Sequence, residues 1–200
     1  MPLASAASSI DGGFYTWVTE LAQRSPAPLD SAVRIWSDYG PALFALLMLV
    51  AWWRSRTADP ARTAMALCTP LVVVAAYLVN DLVKSVIHEQ RPCRTLHVVT
   101  VEACPAPGDW SFPSNHAAIA AAAAAAIWLS DRRLGAVACV AALAMGASRV
   151  WVGAHYPHDV MLGLLVGVLV AWPLTLAARR CAPAVVRLRD SRLRPLVAAG

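Results

Sequence analysis

Uncharged, mostly apolar stretches alternate along the chain with short segments that carry arginine. The stretches span 39–53, 63–80, 110–130, 134–148 and 160–178. A helix that crosses a bilayer needs roughly 20 mostly apolar residues, within a range of about 17–25. The second, third and fifth stretches meet that length outright. The first and fourth reach it when the flanking Arg54 and Arg149 extend their head groups toward water. The pattern predicts an all-α, polytopic membrane helix bundle with five core transmembrane helices.

Ahead of these spans, residues 14–38 read as one or two short helices broken at Ser25-Pro26-Ala27-Pro28. Phe14, Trp17, Val18 and Leu21 share one helical face, which suits helices lying in the membrane interface; a sixth, re-entrant segment is the other reading. Met1–Gly13 lacks the basic start and long apolar core of a cleavable signal. Three parts follow: N-terminal interfacial helices over 1–38, a membrane-embedded domain over 39–181 and a basic tail over 182–200.

Composition agrees with the pattern. Of 200 residues, 58% are apolar and 14% charged, against roughly 25% charged in a soluble domain. Disordered chains and small disulfide scaffolds need compositions this chain lacks. The net charge of +5 raises the question of nucleic acid, but its distribution argues against it. Arg54, Arg56 and Arg62 lie between the first two spans, and Arg132 and Arg133 between the third and fourth. Arg179, Arg180, Arg187, Arg189, Arg192 and Arg194 follow the fifth. These places share one side and hold eleven of the 17 basic residues, which the positive-inside tendency assigns to the cytoplasm. The C-terminus is then cytoplasmic, and the loops around 88–110 and 149–158 face outward. Cys93 and Cys104 share the outer loop, where the compartment permits a disulfide; two free thiols are the alternative. Cys and His show no zinc-ligand spacing along the chain.

Ionisable groups within or at the edge of a bilayer are costly, which makes them functional candidates. Three clusters of them reach the outer face. Lys84 and Arg91, seven residues apart, project from one helical face roughly 10 Å apart along the axis. Pro92 ends the helix at Arg91. Two such cations suit an anion with several oxygens, or simply a lipid headgroup. Pro113-Ser114-Asn115-His116 precedes the third span; Ser114 suits an N-cap, and the helix start offers N–H donors to an anion. Finally, Arg149, His155 and Asp159 frame the start of the fifth span, which Pro157 favours. An aspartate four residues after a histidine can hold one ring nitrogen and leave the other free to attack. His158, beside Asp159, reads as an interfacial bystander.

Lys84-x6-Arg91-Pro92, Pro113-Ser114-Asn115-His116 and Ser148-Arg149-x5-His155-x3-Asp159 together resemble the three-part signature of the type-2 phosphatidic acid phosphatase superfamily. The local wording around these motifs is most similar to bacterial undecaprenyl-diphosphate phosphatases. The relevant strings are His88-Glu89-Gln90-Arg91-Pro92, Ser111-Phe112-Pro113-Ser114-Asn115-His116 and the run from Ser148 to Pro157. The resemblance implies that His155 attacks phosphorus, Asp159 orients it and His116 protonates the leaving group. Lys84, Arg91 and Arg149 would hold phosphate oxygens, with Ser114 and Asn115 supplying further donors. It implies no metal and no other cofactor, and a lipid diphosphate substrate taken from the bilayer of a bacterial plasma membrane. Phosphatidate or phosphatidylglycerophosphate, or transfer to a lipid acceptor, would use the same residues. A binding protein for anionic headgroups would not need His155 and Asp159. Most relatives in the superfamily carry Gly where this chain has Asn115, a replacement suited to a positive φ if the backbone there requires one.

Overall fold

The computed structural model describes residues 2–198. Among the described residues nine α-helices follow in order: α1 (Pro2–Gln23), α2 (Ala27–Ser55), α3 (Pro60–Val86), α4 (Pro92–Thr95), α5 (Asn115–Ser130), α6 (Arg132–Trp151), α7 (Pro157–Ala178), α8 (Ala182–Arg189) and α9 (Arg194–Val197). A 3₁₀ turn over Arg179–Cys181 joins α7 to α8. Helix starts are chemically marked. Proline stands in the first turn of α2, α3, α4 and α7, where its missing N–H costs no bond. Asp59 and Asp131 cap α3 and α6, each carboxylate accepting from two backbone N–H groups at 3.0 and 3.1 Å.

Among the described residues four helices are long and apolar enough to cross a membrane: α2, α3, α6 and the helix that begins at Pro157. The fifth expected span differs from its prediction. The stretch 110–130 is helical only from Asn115 onward, leaving 16 residues in α5, about 24 Å at the α-helical rise. Pro113 and the capping Ser114 delay its start, and 110–114 become a loop that serves the site. Because α5 packs against α2, α3, α6 and α7, it need not span lipid by itself. The segment 27–38 departs in the other direction: it forms the first turns of α2 instead of a separate interfacial helix. The break at Ser25–Pro26 is present, whereas the helix runs through Pro41.

Alanine fills the centre. Ala117, Ala118 and Ala120 through Ala126 on α5 are all buried, and small side chains let neighbouring backbones close in. On α7, a Cβ at Gly163 would lie 2.5 Å from the Ser114 carbonyl oxygen, and one at Gly167 2.4 Å from that of Ala118. The α5–α7 seam therefore requires glycine at these two positions. Larger residues face outward: Leu71, Leu78 and Leu82 on α3, Val137, Val140 and Leu143 on α6, and Met161, Leu165 and Leu169 on α7 are exposed. Their three- and four-residue spacing makes lipid-facing stripes on a bundle whose inside is alanine. Residues 182–198 pack as well: α8 lies on α3, and Val185 of α8 and Val197 of α9 are buried beside Ala64.

Candidate active site

The C-terminal ends of α3 and α6 and the starts of α5 and α7 meet at one end of the bundle, under the 87–114 loop. A Cys93–Cys104 disulfide ties that loop, so the pairing alternative is the one adopted. Tyr15 of α1 donates its hydroxyl to the Gly153 carbonyl at 2.9 Å, pinning the turn that carries His155. Trp151 likewise donates to Asp30 at 3.0 Å.

His155 is 2% exposed and Asp159 fully buried. His155 Nδ1 lies 3.3 Å from Asp159 Oδ2, and Nε2 lies 2.9 Å from Arg91 Nη1. A guanidinium can only donate. Nε2 therefore carries the lone pair, and Nδ1 carries the proton that faces Asp159. Burial, then the Arg91, Arg149 and Lys84 charges, push the His155 pKa well below its ordinary 6.5, so the ring is neutral. A neutral imidazole with the lone pair on Nε2 has the tautomer that a nucleophile needs.

Asp159 is held from several sides. Its Oδ2 also accepts from the Tyr156 N–H at 2.8 Å and from the Ser111 hydroxyl. Its own carbonyl takes the Ser114 N–H at 3.0 Å, so the starts of α5 and α7 are locked together. Arg91 donates to the Ala154 carbonyl at 2.8 Å and pairs with Asp109 at 2.8 Å, which fixes its fork beside His155.

Lys84, on the last turn of α3, donates to the Trp110 carbonyl at 3.1 Å. Arg149 donates to Ser37 of α2 and to Glu102 at 3.2 Å. Lys84, Arg91 and Arg149 are all buried, and all three act electrostatically on His155. Arg91 and Arg149 have carboxylate partners, whereas Lys84 has no ion pair among the described residues; a buried cation needs anionic company, and a phosphoryl group would supply it. Half-buried His116, on the first turn of α5, feels the same three cations.

The side chain of Asn115 is engaged within the protein. It accepts from Asn80 at 2.6 Å and donates to Asp81 at 3.4 Å, tying α5 to α3. His97 is the one non-glycine residue with positive φ among the described residues. Asn115 is therefore not a substitute for a left-handed glycine; it begins a helix.

The motifs gave no role to Ser111, Ser37, Glu102 or Glu89. Ser111 stands two residues before Pro113, a position with no spacing signal of its own, and Ser37 and Glu102 reach Arg149 only through tertiary folding. Nor is His158 a bystander. Its Nδ1 lies 3.0 Å from Asp11 and its Nε2 3.1 Å from Glu89 and 3.4 Å from Asp159. Glu89, His158 and Asp159 present ligand atoms all within 4.8 Å of one another, a grouping that the linear spacing of the three residues conceals.

Comparisons with known proteins give the family and the fold. The family model described as "PAP2 superfamily" matches residues 63–182. The chain is 32% identical over 146 residues to undecaprenyl-diphosphatase BcrC of Bacillus subtilis, covering 72% of each. It is 34% identical over 128 residues to the bacitracin transport permease protein BcrC of Bacillus licheniformis, covering 64% of this chain and 62% of that one. The crystal structure of Aquifex aeolicus LpxE matches with a TM-score of 0.56 at 23% identity, over 84% of this chain and 95% of that one, a likeness of fold. With buried His155 between a carboxylate and a guanidinium, at the meeting point of all three motifs, the chain belongs to the PAP2 superfamily and is a lipid phosphatase.

Proposed function

We propose that the chain hydrolyses a polyprenyl diphosphate of undecaprenyl type to its monophosphate and inorganic phosphate, at the outer face of a bacterial plasma membrane. The observation that carries the chemistry is His155 held between Asp159 at Nδ1 and Arg91 at Nε2. The Bacillus subtilis relative, matched over 72% of both chains, supports the substrate.

Nε2 attacks the terminal phosphorus as the bond from that phosphorus to the bridging oxygen breaks. The electron pair leaves on the bridging oxygen, which takes a proton from His116. Asp159 stabilises the imidazole as it becomes positive. Lys84, Arg91 and Arg149, with N–H groups at the start of α5, neutralise the three peripheral oxygens of the transferring group. Those three charges do the work a metal ion does in other phosphotransferases, so the reaction runs without one. Water, giving a proton to His116, then splits the phosphohistidine to free phosphate.

Two features support the outward orientation. The Cys93–Cys104 disulfide lies in the loop over the site, as an oxidising compartment favours. Arg54, Arg56, Arg62, Arg132 and Arg133 sit in the connections at the other end, where basic residues favour the cytoplasm.

Rapid quenching with a terminally ³²P-labelled polyprenyl diphosphate tests the intermediate. The expected product is protein-bound label that is base-stable and acid-labile, and that is missing from His155→Ala. Turnover without any such label, or label persisting in His155→Ala, would contradict the mechanism.

A further inference from the structure

His158 sits in a setting that the phosphatase chemistry does not use. Three carboxylates face its ring: Asp11 from α1, Glu89 from the loop after α3, and Asp159 beside it on α7. Their side chains are 15%, 7% and 0% exposed. Among the described residues, neither Asp11 nor Glu89 has an ion pair with lysine or arginine; His158 is their common partner. The cluster therefore gathers three carboxylates around one imidazole, and buried acidic groups in excess of their basic partners call for a further cation. A second observation points the same way. Asp159 Oδ1 is fully buried, has no hydrogen-bond partner and faces this cluster, while Oδ2 serves His155, Ser111 and Tyr156.

Two of the three spacings in the cluster match those around a metal ion, and the third is within 4.8 Å. Ligands at about 2.0–2.2 Å from a tetrahedral Zn²⁺ stand roughly 3.4 Å from one another. His158 Nε2 is 3.1 and 3.3 Å from the two Glu89 oxygens and 3.4 Å from Asp159 Oδ1. Asp11 holds Nδ1 at 3.0 Å, and a carboxylate behind a histidine in this way keeps the proton on Nδ1 and the lone pair on the ligating nitrogen. The ring is fixed further by Tyr156, stacked at 5.2 Å between centroids, and by Phe112 at 5.8 Å. One imidazole and two carboxylates form a donor set of the kind that zinc takes.

We propose that Glu89, His158 and Asp159 bind one divalent cation of zinc type, oriented through Asp11, and that this cation inhibits the enzyme. On binding, His158 Nε2 loses its proton to solvent and coordinates the ion, with Glu89 and Asp159 Oδ1 completing the protein ligands. The ion draws electron density from the carboxylate that supports His155, and its charge opposes the positive imidazole that forms during attack. The inhibitory consequence rests on the reading of His155 as nucleophile; the binding site does not.

The test uses the full chain in detergent, stripped with EDTA, loaded with Zn²⁺, desalted and assayed for bound metal by mass spectrometry. About one zinc per chain is expected for the unaltered protein and for His155→Ala. Glu89→Gln and His158→Asn should retain little. Asp11→Asn, which keeps all three ligands, should bind roughly tenfold more weakly. In phosphate-release assays the zinc concentration for half-inhibition should rise at least tenfold in Glu89→Gln. Circular dichroism checks that each variant is folded, and Asp11→Asn gives the answer if another is not. Equal zinc in unaltered protein and Glu89→Gln, or none in either, overturns the site. Glu89-dependent zinc that leaves phosphate release unchanged overturns its inhibitory role. An inactive but zinc-loaded His155→Ala separates this site from the catalytic reading.

Discussion

At the scale of single residues, the site depends on how one carboxylate distributes its oxygens. Asp159 Oδ2 collects His155, the Tyr156 N–H and the Ser111 hydroxyl. Replacing Asp159 by Asn presents an amide that can hold the imidazole in the wrong tautomer, so phosphate release should fall by roughly 10³–10⁴-fold with the fold retained. Ser111→Ala removes one of three donors, and a loss of roughly tenfold is expected. Steady-state assays beside helical content by circular dichroism check both; activity near normal in Asp159→Asn would contradict the assigned role. His155 also gives a pH prediction. Its folded pKa lies below 6.5, so the unfolded chain binds the proton more readily. The stability that comes from keeping this ring neutral is complete above about pH 6.5. It is lost as pH falls below that value. Denaturation midpoints across pH 5–8 should therefore decline on the acid side, less so in His155→Gln. A matching decline in both proteins would show that His155 is not its source.

The helices explain why some of this was legible along the chain and some was not. Local grammar was plain: Ser114 before α5, Pro157 within the first turn of α7, and the four-residue step from His155 to Asp159 are consequences of neighbours in sequence. Lys84, Arg91 and Arg149 are charges in apolar surroundings, and so identify themselves. Relations that cross between elements were silent. Ser37 reaches Arg149 from a residue 112 positions away, and Asp11 reaches His158 across 147; no periodicity joins them. The extent of α2 was hidden for another reason. Asp30, Arg34 and Asp38 break the apolar pattern of a helix whose early turns lie beside the site loops. Helix contacts also yield a prediction. Gly167→Leu would drive a side chain into the Ala118 carbonyl, since even a Cβ comes within 2.4 Å. Parting α5 from α7 should cost about 1–3 kcal/mol and shift Ser114 away from Asp159. A lower melting temperature and reduced phosphate release are expected together. An unchanged melting temperature would mean the seam is looser than this packing.

Across the whole molecule, the ordering is of chemistry by depth. Alanine makes the centre thin enough for α2, α3, α6 and α7 to close around a short α5, large apolar residues face lipid, and cations gather at both ends for different reasons. At one end Arg54 pairs with Asp131 at 2.7 Å near the surface. At the other end Lys84, Arg91 and Arg149 are buried around a neutral histidine. A substrate with a long apolar tail and a charged head suits this division, because the proposed function needs the tail in the bilayer and the head at the cationic end. The most direct measurement is phosphate release by purified protein in excess EDTA, from undecaprenyl diphosphate, phosphatidate and phosphatidylglycerophosphate in parallel, with His155→Ala beside the unaltered chain. Preference for the diphosphate, undiminished by EDTA and reduced at least a thousandfold in His155→Ala, is the expected result. Full activity in His155→Ala, or activity abolished by EDTA and restored by a divalent ion, would contradict it.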